Sequence, residues 1–437
     1  MTVETKLPYD RSYIEQFSSQ LNEPAWMKEL RLNALEQAES LELPKPDKTK
    51  IGKWNFTRFK HTASGEVETI TSLTELPVEI QDFFDKEALP ENLVIQRNHT
   101  VAFAKLNDDL ANKGVIFTDI FTALREHEDL VKRYFMKDAV SVDEHKLTAL
   151  HAALMNGGIF VYVPKNVQIK EPLQVVFWQE DPEVALINHV LVVADENSEL
   201  TYVENYISNN QNEETVANIV TEVIAQDNAK ISFGAVDNFA AGTTTYVNRR
   251  GVGYRDAQID WALGQMNDGD TVSENVTHLV GDGGSANANA VTVGRGKQTQ
   301  NFTAKIVQFG KNTDGQILQR GVMKESATTI FNAVGKIEHG ASGANSEQTS
   351  RVLMLSENAR GDANPILLIE EDDVTAGHAA SVGRVDPMQL YYFMSRGIRK
   401  EEAERLVIYG FLDPVVRELP IDAVKKQLKQ VIERKVN

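Results

Sequence analysis

The chain has 437 residues, no cysteine, 45 Lys and Arg against 63 Asp and Glu, and a formal net charge of −18. That length exceeds one core of roughly 100–200 residues, so two or three packed units are expected; the missing thiols exclude disulfides, Cys-based zinc sites, a thiolate nucleophile and any iron–sulfur cluster held by cysteines of this chain. The acidic field disfavours a phosphate backbone as partner, no apolar run approaches the roughly 18 residues that span a bilayer, and the first ten residues lack the basic-then-apolar order of an export signal, so neither nucleic acid nor membrane is expected and a cytoplasmic location is.

The first 155 residues read as a helical, then mixed α+β, region. Ile14, Phe17 and Leu21 share one helical stripe, and Trp26, Met27, Leu30 and Ala34 repeat it after Pro24. The run 53–59 alternates polar residues with Trp54 and Phe56, and Thr100 to Ala104 is β-branched and aromatic, so both read as strands. Helix returns where Leu147, Leu150 and Leu154 share a face. His151 lies beside that stripe, where a helix-surface or core-edge histidine is the expected reading, ahead of a ligand.

From Gly157 the character changes. Ile159 to Val163 is a strand by its β-branched and aromatic content, ended by Pro164, and 165–169 continues it after that break. As far as about Leu355 there is almost no helical period. Short aliphatic runs recur instead, each introduced by polar or acidic turn residues, and Leu200, Ile231 and Ile259 head three of them at a spacing of roughly thirty residues, which suits a stacked solenoid. Each coil of a solenoid needs small or branched residues inside and Gly, Asn or Asp at its corners, as 285–291 and 339–345 supply. A β-sandwich shares the short strands and turns, but about 200 residues is long for one sandwich. The expected fold is therefore mainly β: a right-handed parallel β-helix over 156–383, preceded by the helical and α+β domain 1–155 and followed by a helical domain over 384–437.

The C-terminal segment carries clear punctuation. Asp386-Pro387 is an N-cap with proline at the first helical position, and Gly397 after Arg396 suits a left-handed helix terminus. The same reading makes Glu401 to Tyr409 a second helix closed by Gly410, opens a third at Asp413-Pro414, and places a last one over 421–436 through Val424, Leu428 and Val431. Leu390, Tyr391, Phe393, Met394, Leu406, Ile408 and Phe411 give these helices more apolar surface than roughly 50 residues bury alone, which favours a docking surface, with core packing as the alternative.

The order of several motifs resembles one family. Asp372-Asp373-Val374, then His378-Ala379-Ala380-Ser381-Val382-Gly383, Leu390 to Ile398 and Gly410-Phe411, with Gly157 to Lys165, Gln348-Thr349-Ser350 and Glu23-Pro24-Ala25-Trp26 upstream, look like the SufB/SufD family of the Suf iron–sulfur cluster assembly system. The resemblance covers essentially the whole chain. Within it the chain is similar to the SufD side: Ala379 stands where SufB-like chains are expected to carry a carboxylate after the histidine, and Ala376 where many SufD-like chains carry a cysteine.

The resemblance implies a non-catalytic scaffold subunit. It would pair with a SufB-like paralogue through the β-helix and dock a SufC-like ATPase on the C-terminal helices, around Leu390, Tyr391, Phe393, Arg396 and Gly397; a homodimer is the state open to the isolated chain. ATP hydrolysis would occur on the ATPase, so no catalytic residue is expected here. No cofactor would be held stably by the chain alone. His378 would act in cluster assembly at the interface, as a metal ligand only together with partner ligands to a transient cluster, since neutral imidazole is a good borderline ligand for iron; a proton-handling role near sulfur and a merely hydrogen-bonded histidine are the other readings.

Three further features read as ordinary. The acidic run 370–373 is a solvated loop ahead of a cation site, Gly251-Val252-Gly253 and Asp282-Gly283-Gly284-Ser285 are turns without a nucleotide fingerprint, and Asn301-Phe302-Thr303 matters as a sequon only in a secreted protein. The competing classes are a polysaccharide-active β-helix enzyme and a self-assembling structural solenoid. The first is disfavoured by the absence of an export signal and of an acid pair beside an aromatic platform. The second is disfavoured by helical regions at both ends, which read as stoppers to stacking.

Overall fold

The computed structural model describes residues 8–63, 69–81, 84, 90–208, 214–418 and 422–436. From Gly157 onward the strands alternate between two sheets. One runs Gly157–Val163, Leu186–Ala194, Thr215–Ala225 and on to Arg360–Ile369; the other runs Leu173–Gln179, Glu199–Ser208, Lys230–Asn238 and on to Thr375–Arg384. Within each sheet these strands are parallel to their neighbours, as in Glu199–Ser208 on Lys230–Asn238 and Gln258–Gln265. Hairpin connections cannot give that order, so the sandwich is excluded and the fold is a parallel β-helix.

The thirty-residue spacing is the coil repeat itself. Leu200 pairs with Ile231 and Ile231 with Ile259, one above another in the lumen. A corner keeps the same repeat: Asn166, Asn197, Asn228, Asp256, Gly283, Asn312 and Gly343 all have positive φ, between 53° and 76°. Asn and Asp tolerate that left-handed conformation better than other side chains, which is why they share the position with glycine. The amides also stack, Asn197 Nδ2 donating to Asn166 Oδ1 at 3.0 Å and Asn228 Nδ2 to Asn197 Oδ1 at 2.9 Å.

Helices cover both flanks. Arg11–Gln20, Ala25–Ser40 and Lys146–Leu154 bury Ile14, Met27, Leu35, Leu150 and Leu154 against Phe160, Leu191, Val220 and Tyr246 of the first sheet. Glu23, the first residue of the early motif, is a buried partner of Arg31 (2.6 Å), whose guanidinium also donates to Ala153 O. On the second sheet lie Lys400–Glu418 and Asp422–Val436, which bury Ile408, Leu412, Val415, Leu428 and Val431 against Val203, Val236, Ala262 and Val291. Leu428 fits a notch at Gly264, where a β-carbon would lie 2.0 Å from its Cδ2.

The structure corrects several expectations. The run 53–59 forms turns, since its aromatic residues pack individually against the helices and only Lys60 bridges Val184. Residues 165–169 are the first corner, with one bridge at Gln168. Gly410 and Pro414 interrupt nothing: Lys400–Glu418 is one helix with Pro414 inside it. An interior proline costs about 3 kcal/mol, whereas burying Ile408, Leu412, Val415 and Val416 contributes about 1.5–3 kcal/mol for each side chain. The C-terminal helices are also no stopper. They turn back along the flank, where Lys435 Nζ meets Asp268 Oδ1 at 2.5 Å, and leave the last coil open.

Candidate functional site at the open end

The two ends of the β-helix are built differently. At the first, Ile116–Asp119 pairs antiparallel with Gly157–Val163, the Leu93–Arg97 and Thr100–Lys105 hairpin continues the other sheet, and Leu106 and Leu110 pack onto the lumen core. At the last, Arg360–Ile369 and Thr375–Arg384 are the outermost strands of their sheets, and every residue of Thr375–Arg384 is exposed.

His378 belongs to that final strand. Its in-register neighbour is Gln348, and the column continues down through Ile317, Ala288, Trp261, Phe233 and Tyr202. The aromatic residues of this column are fully buried in the lumen, with ring centroids 5.0 Å and 4.9 Å apart. Side chains on parallel strands keep their face from one coil to the next. His378 therefore ends a lumen-facing column, and it is exposed because no further coil lies on top of it.

The acidic run before it forms the last corner. Glu371 accepts from Gly340 N (2.9 Å), Ser342 Oγ donates to Asp373 Oδ2 (2.7 Å), and Gly343 N donates to Asp373 O. The backbone N–H of Gly340 holds the Glu371 carboxyl below its ordinary range. Among the described residues no group of three or more His, Asp or Glu side chains could hold a metal ion. His378 therefore stands, among the described residues, without companion ligands that would complete a metal site.

Directly after the final strand comes Pro387–Ser395. Asp386 caps it, accepting from Met388 N at 2.9 Å, Gly397 ends it at φ +85°, and none of its residues is buried. A groove of about 810 Å³ runs between it and Lys400–Glu418, walled by Arg384, Met388, Tyr392, Phe393, Leu406 and Phe411. Of the residues expected to dock a partner, Phe393 is in these walls, while Leu390, Tyr391, Arg396 and Gly397 lie on the same helix and its end, outside them. Tyr391 is 65% exposed, and the Arg396 guanidinium sits over the Tyr392 ring, 5.1 Å from its centroid.

The chain matches two family models, the SufBD protein N-terminal region over residues 9–175 and the SufBD core domain of SUF system FeS cluster assembly over 177–411. It is 64% identical over 438 residues to the iron–sulfur cluster assembly protein SufD of Bacillus subtilis, covering 100% of both chains. SufBD family proteins of Staphylococcus saprophyticus and Staphylococcus aureus are each 28% identical over 416 residues, 94% of this chain and 89% of theirs. The chain belongs to the SufB/SufD family of iron–sulfur cluster assembly proteins.

This SufD-like chain also holds two buried polar networks that sequence reasoning missed. His151 is not at a helix surface. It is fully buried, with Nδ1 3.3 Å from Asn218 O and Nε2 3.1 Å from His189 Nδ1, and His189 Nε2 is 3.0 Å from Glu222 Oε2. Met136 N and Val140 N also donate to Glu222. Because a carbonyl only accepts, the proton of His151 is on Nδ1; its Nε2 then accepts from His189, and His189 Nε2 faces a Glu222 that carries a proton. Burial drives both groups that way, Glu222 up to about 8 and His189 down to about 3.

The second network is in the lumen. Arg249 donates to Asp237 at 2.7 and 2.9 Å and to Glu204 at 3.0 Å, and burial raises Glu204 to about 7 against the pull of Arg249. A sequence signal existed for both: His189, Glu222, Glu204 and Arg249 are charged or titratable residues inside otherwise strand-like runs, and such groups are buried only when paired. The Gly157-Gly158 motif has its own reason. Gly158 has φ +138°, and a β-carbon there would lie 1.9 Å from His189 O.

Proposed function

We propose that this chain is a cytoplasmic, non-catalytic scaffold subunit for iron–sulfur cluster assembly, pairing with a SufB-like paralogue through its open coil and docking a SufC-like ATPase through residues 384–437. The observation that carries the reading is the final strand. Thr375–Arg384 is ten residues long, exposed throughout and, among the described residues, unpaired along one edge, and it ends the lumen column in His378. A long open edge is a template for another chain's strand, and proteins that stay alone cover or charge such edges. The same edge gives the isolated chain a surface for pairing with its own copy.

In this reading His378 faces the seam between two β-helices, where its imidazole adds one nitrogen to ligands supplied by the SufB-like chain around a nascent cluster. The cluster is cargo, formed and passed on. The ATPase occupies the groove beside Phe393 and Leu406, one turn of chain from the final strand, so nucleotide-driven motion of Pro387–Ser395 would reach His378 through Arg384 and Asp386.

The test is co-purification with SufB-like and SufC-like proteins from the same cell, followed by anaerobic reconstitution with iron and sulfide. A stable complex is expected, with His378→Ala leaving assembly intact but lowering cluster yield by about tenfold or more, the order of effect seen when one partner of a metal site is lost. Unchanged yield with His378→Ala in the complete complex would remove the ligand role. No association with either protein would remove the scaffold role.

A further inference from the structure

The residue beneath His378 in register is Gln348. Gln348 is 3% exposed, and its Nε2 donates to Ile366 O at 2.9 Å, which fixes the amide orientation. Its Oε1 is buried and has no hydrogen-bond partner among the described residues. Below it in the column is Ile317, which offers no donor; above it, in register, is His378. Adjacent strands are about 4.8 Å apart, so the acceptor lies one coil below an imidazole on the same face. Space for the amide is made by Gly335, where a β-carbon would lie 2.7 Å from Gln348 Nε2 and 2.3 Å from Ser346 Oγ.

The neighbouring column shows the same arrangement completed. Gln319 and Ser350 are in register on successive coils, and Ser350 Oγ donates to Gln319 Oε1 at 3.0 Å. There an amide oxygen on the lower coil accepts from a donor on the coil above. Gln348 and His378 stand in the same register one coil further on, where the bond is not formed in this structure and a ring N–H would be the donor.

We propose that Gln348 is a positioning residue for His378: its Oε1 accepts one ring N–H, fixes the tautomer, and turns the other nitrogen, with its lone pair, toward the open end. An acceptor on one ring nitrogen is how histidines are oriented as ligands, and a buried amide oxygen left without a donor costs free energy that this bond recovers. The inference rests on the reading of His378 as the working residue of the open end. It does not need the complex to be tested.

The experiment is long-range ¹H–¹⁵N correlation of the histidine ring nitrogens in the full chain, labelled at histidine and held at one alkaline pH, with His378→Ala assigning the signal. The wild type is expected to show one dominant His378 tautomer. Gln348→Met should lower that ratio about fivefold, the equivalent of one net hydrogen bond, while Gln348→Glu, which keeps an acceptor, should stay within about twofold of wild type. The thermal midpoint of each variant separates this from loss of the fold. Equal tautomer ratios in wild type and Gln348→Met, with both folded, would overturn the proposal. A shifted ratio with cluster yield unaffected by His378→Ala would leave the positioning intact and remove the function it was meant to serve.

Discussion

The closed and open ends of the β-helix are made of the same repeat and differ only in the chain that flanks it. At the closed end an antiparallel strand and a hairpin pair with the strands of the first coil, and the helices bury Phe160, Leu191 and Val193 against the sheet. At the open end the chain leaves the last coil, caps a helix with Asp386 and folds back along the flank, so Val382 is 42% exposed and His378 has solvent where its column would continue. The difference separates the end that is packed from the end that the proposed function uses for recognition. One end holds the fold together, and the other, in the proposed reading, is completed by another chain.

The sharpest way to break this comparison is to truncate equivalent apolar groups at the two ends. Phe160→Ala should cost about 3–5 kcal/mol by chemical denaturation, as for a fully buried aromatic. Val382→Ala should stay within about 0.5 kcal/mol, as for a surface change. A large loss at Val382 would mean that the open coil is held by contacts of its own.

Next in size is the buried network at the closed end. Glu222 is raised from 4.5 to about 8, so its contribution is fully present below pH 4.5 and is lost as pH rises through about 8. His61 and His145 are lowered from 6.5 to about 4 by burial, so their contribution is present above pH 6.5 and is lost as pH falls toward 4. The windows overlap between pH 4.5 and 6.5, where the two histidines outweigh the one carboxyl, so stability should peak near pH 6.5 and decline from there toward 8. Glu222→Gln should flatten the alkaline decline and leave the acid limb in place, which thermal midpoints from pH 4 to 9 would read; an unchanged alkaline limb would contradict a protonated Glu222.

The smallest effect on stability should accompany the largest on association. Thr375 N and Val385 N donate to the strand below, so the even-numbered N–H groups between them face the free edge; Ala380→Pro removes one of these and should weaken pairing with the proposed SufB-like partner at least tenfold, while moving the melting midpoint of the free chain by only a few degrees because this strand is exposed. Undiminished association would place the interface elsewhere.

Much of this was legible in the residues. Leu200, Ile231 and Ile259 marked the coil repeat because inward positions must stack, and Asp386-Pro387 marked a helix start because its capping chemistry is local. What failed depended on tertiary packing. Pro414 reads as a breaker until the apolar stripe around it is seen against the second sheet; His151 reads as a helix-edge residue until His189 and Glu222 close over it. The open end was hidden for the same reason: helical periodicity predicts that helices come after the solenoid, and says nothing about whether they cap it or turn back. His378 stood out through resemblance, but its place at the top of a lumen column required the register.

Hydrogen–deuterium exchange of the full chain, alone and with the SufB-like partner, tests the central claim most directly. The account predicts that the outward amides of the final strand, at 376, 378, 380, 382 and 384, exchange quickly in the free chain and become the most strongly protected in the complex. Protection confined to the N-terminal helices or to the flank covered by 400–436, with those amides still exchanging freely, would contradict it.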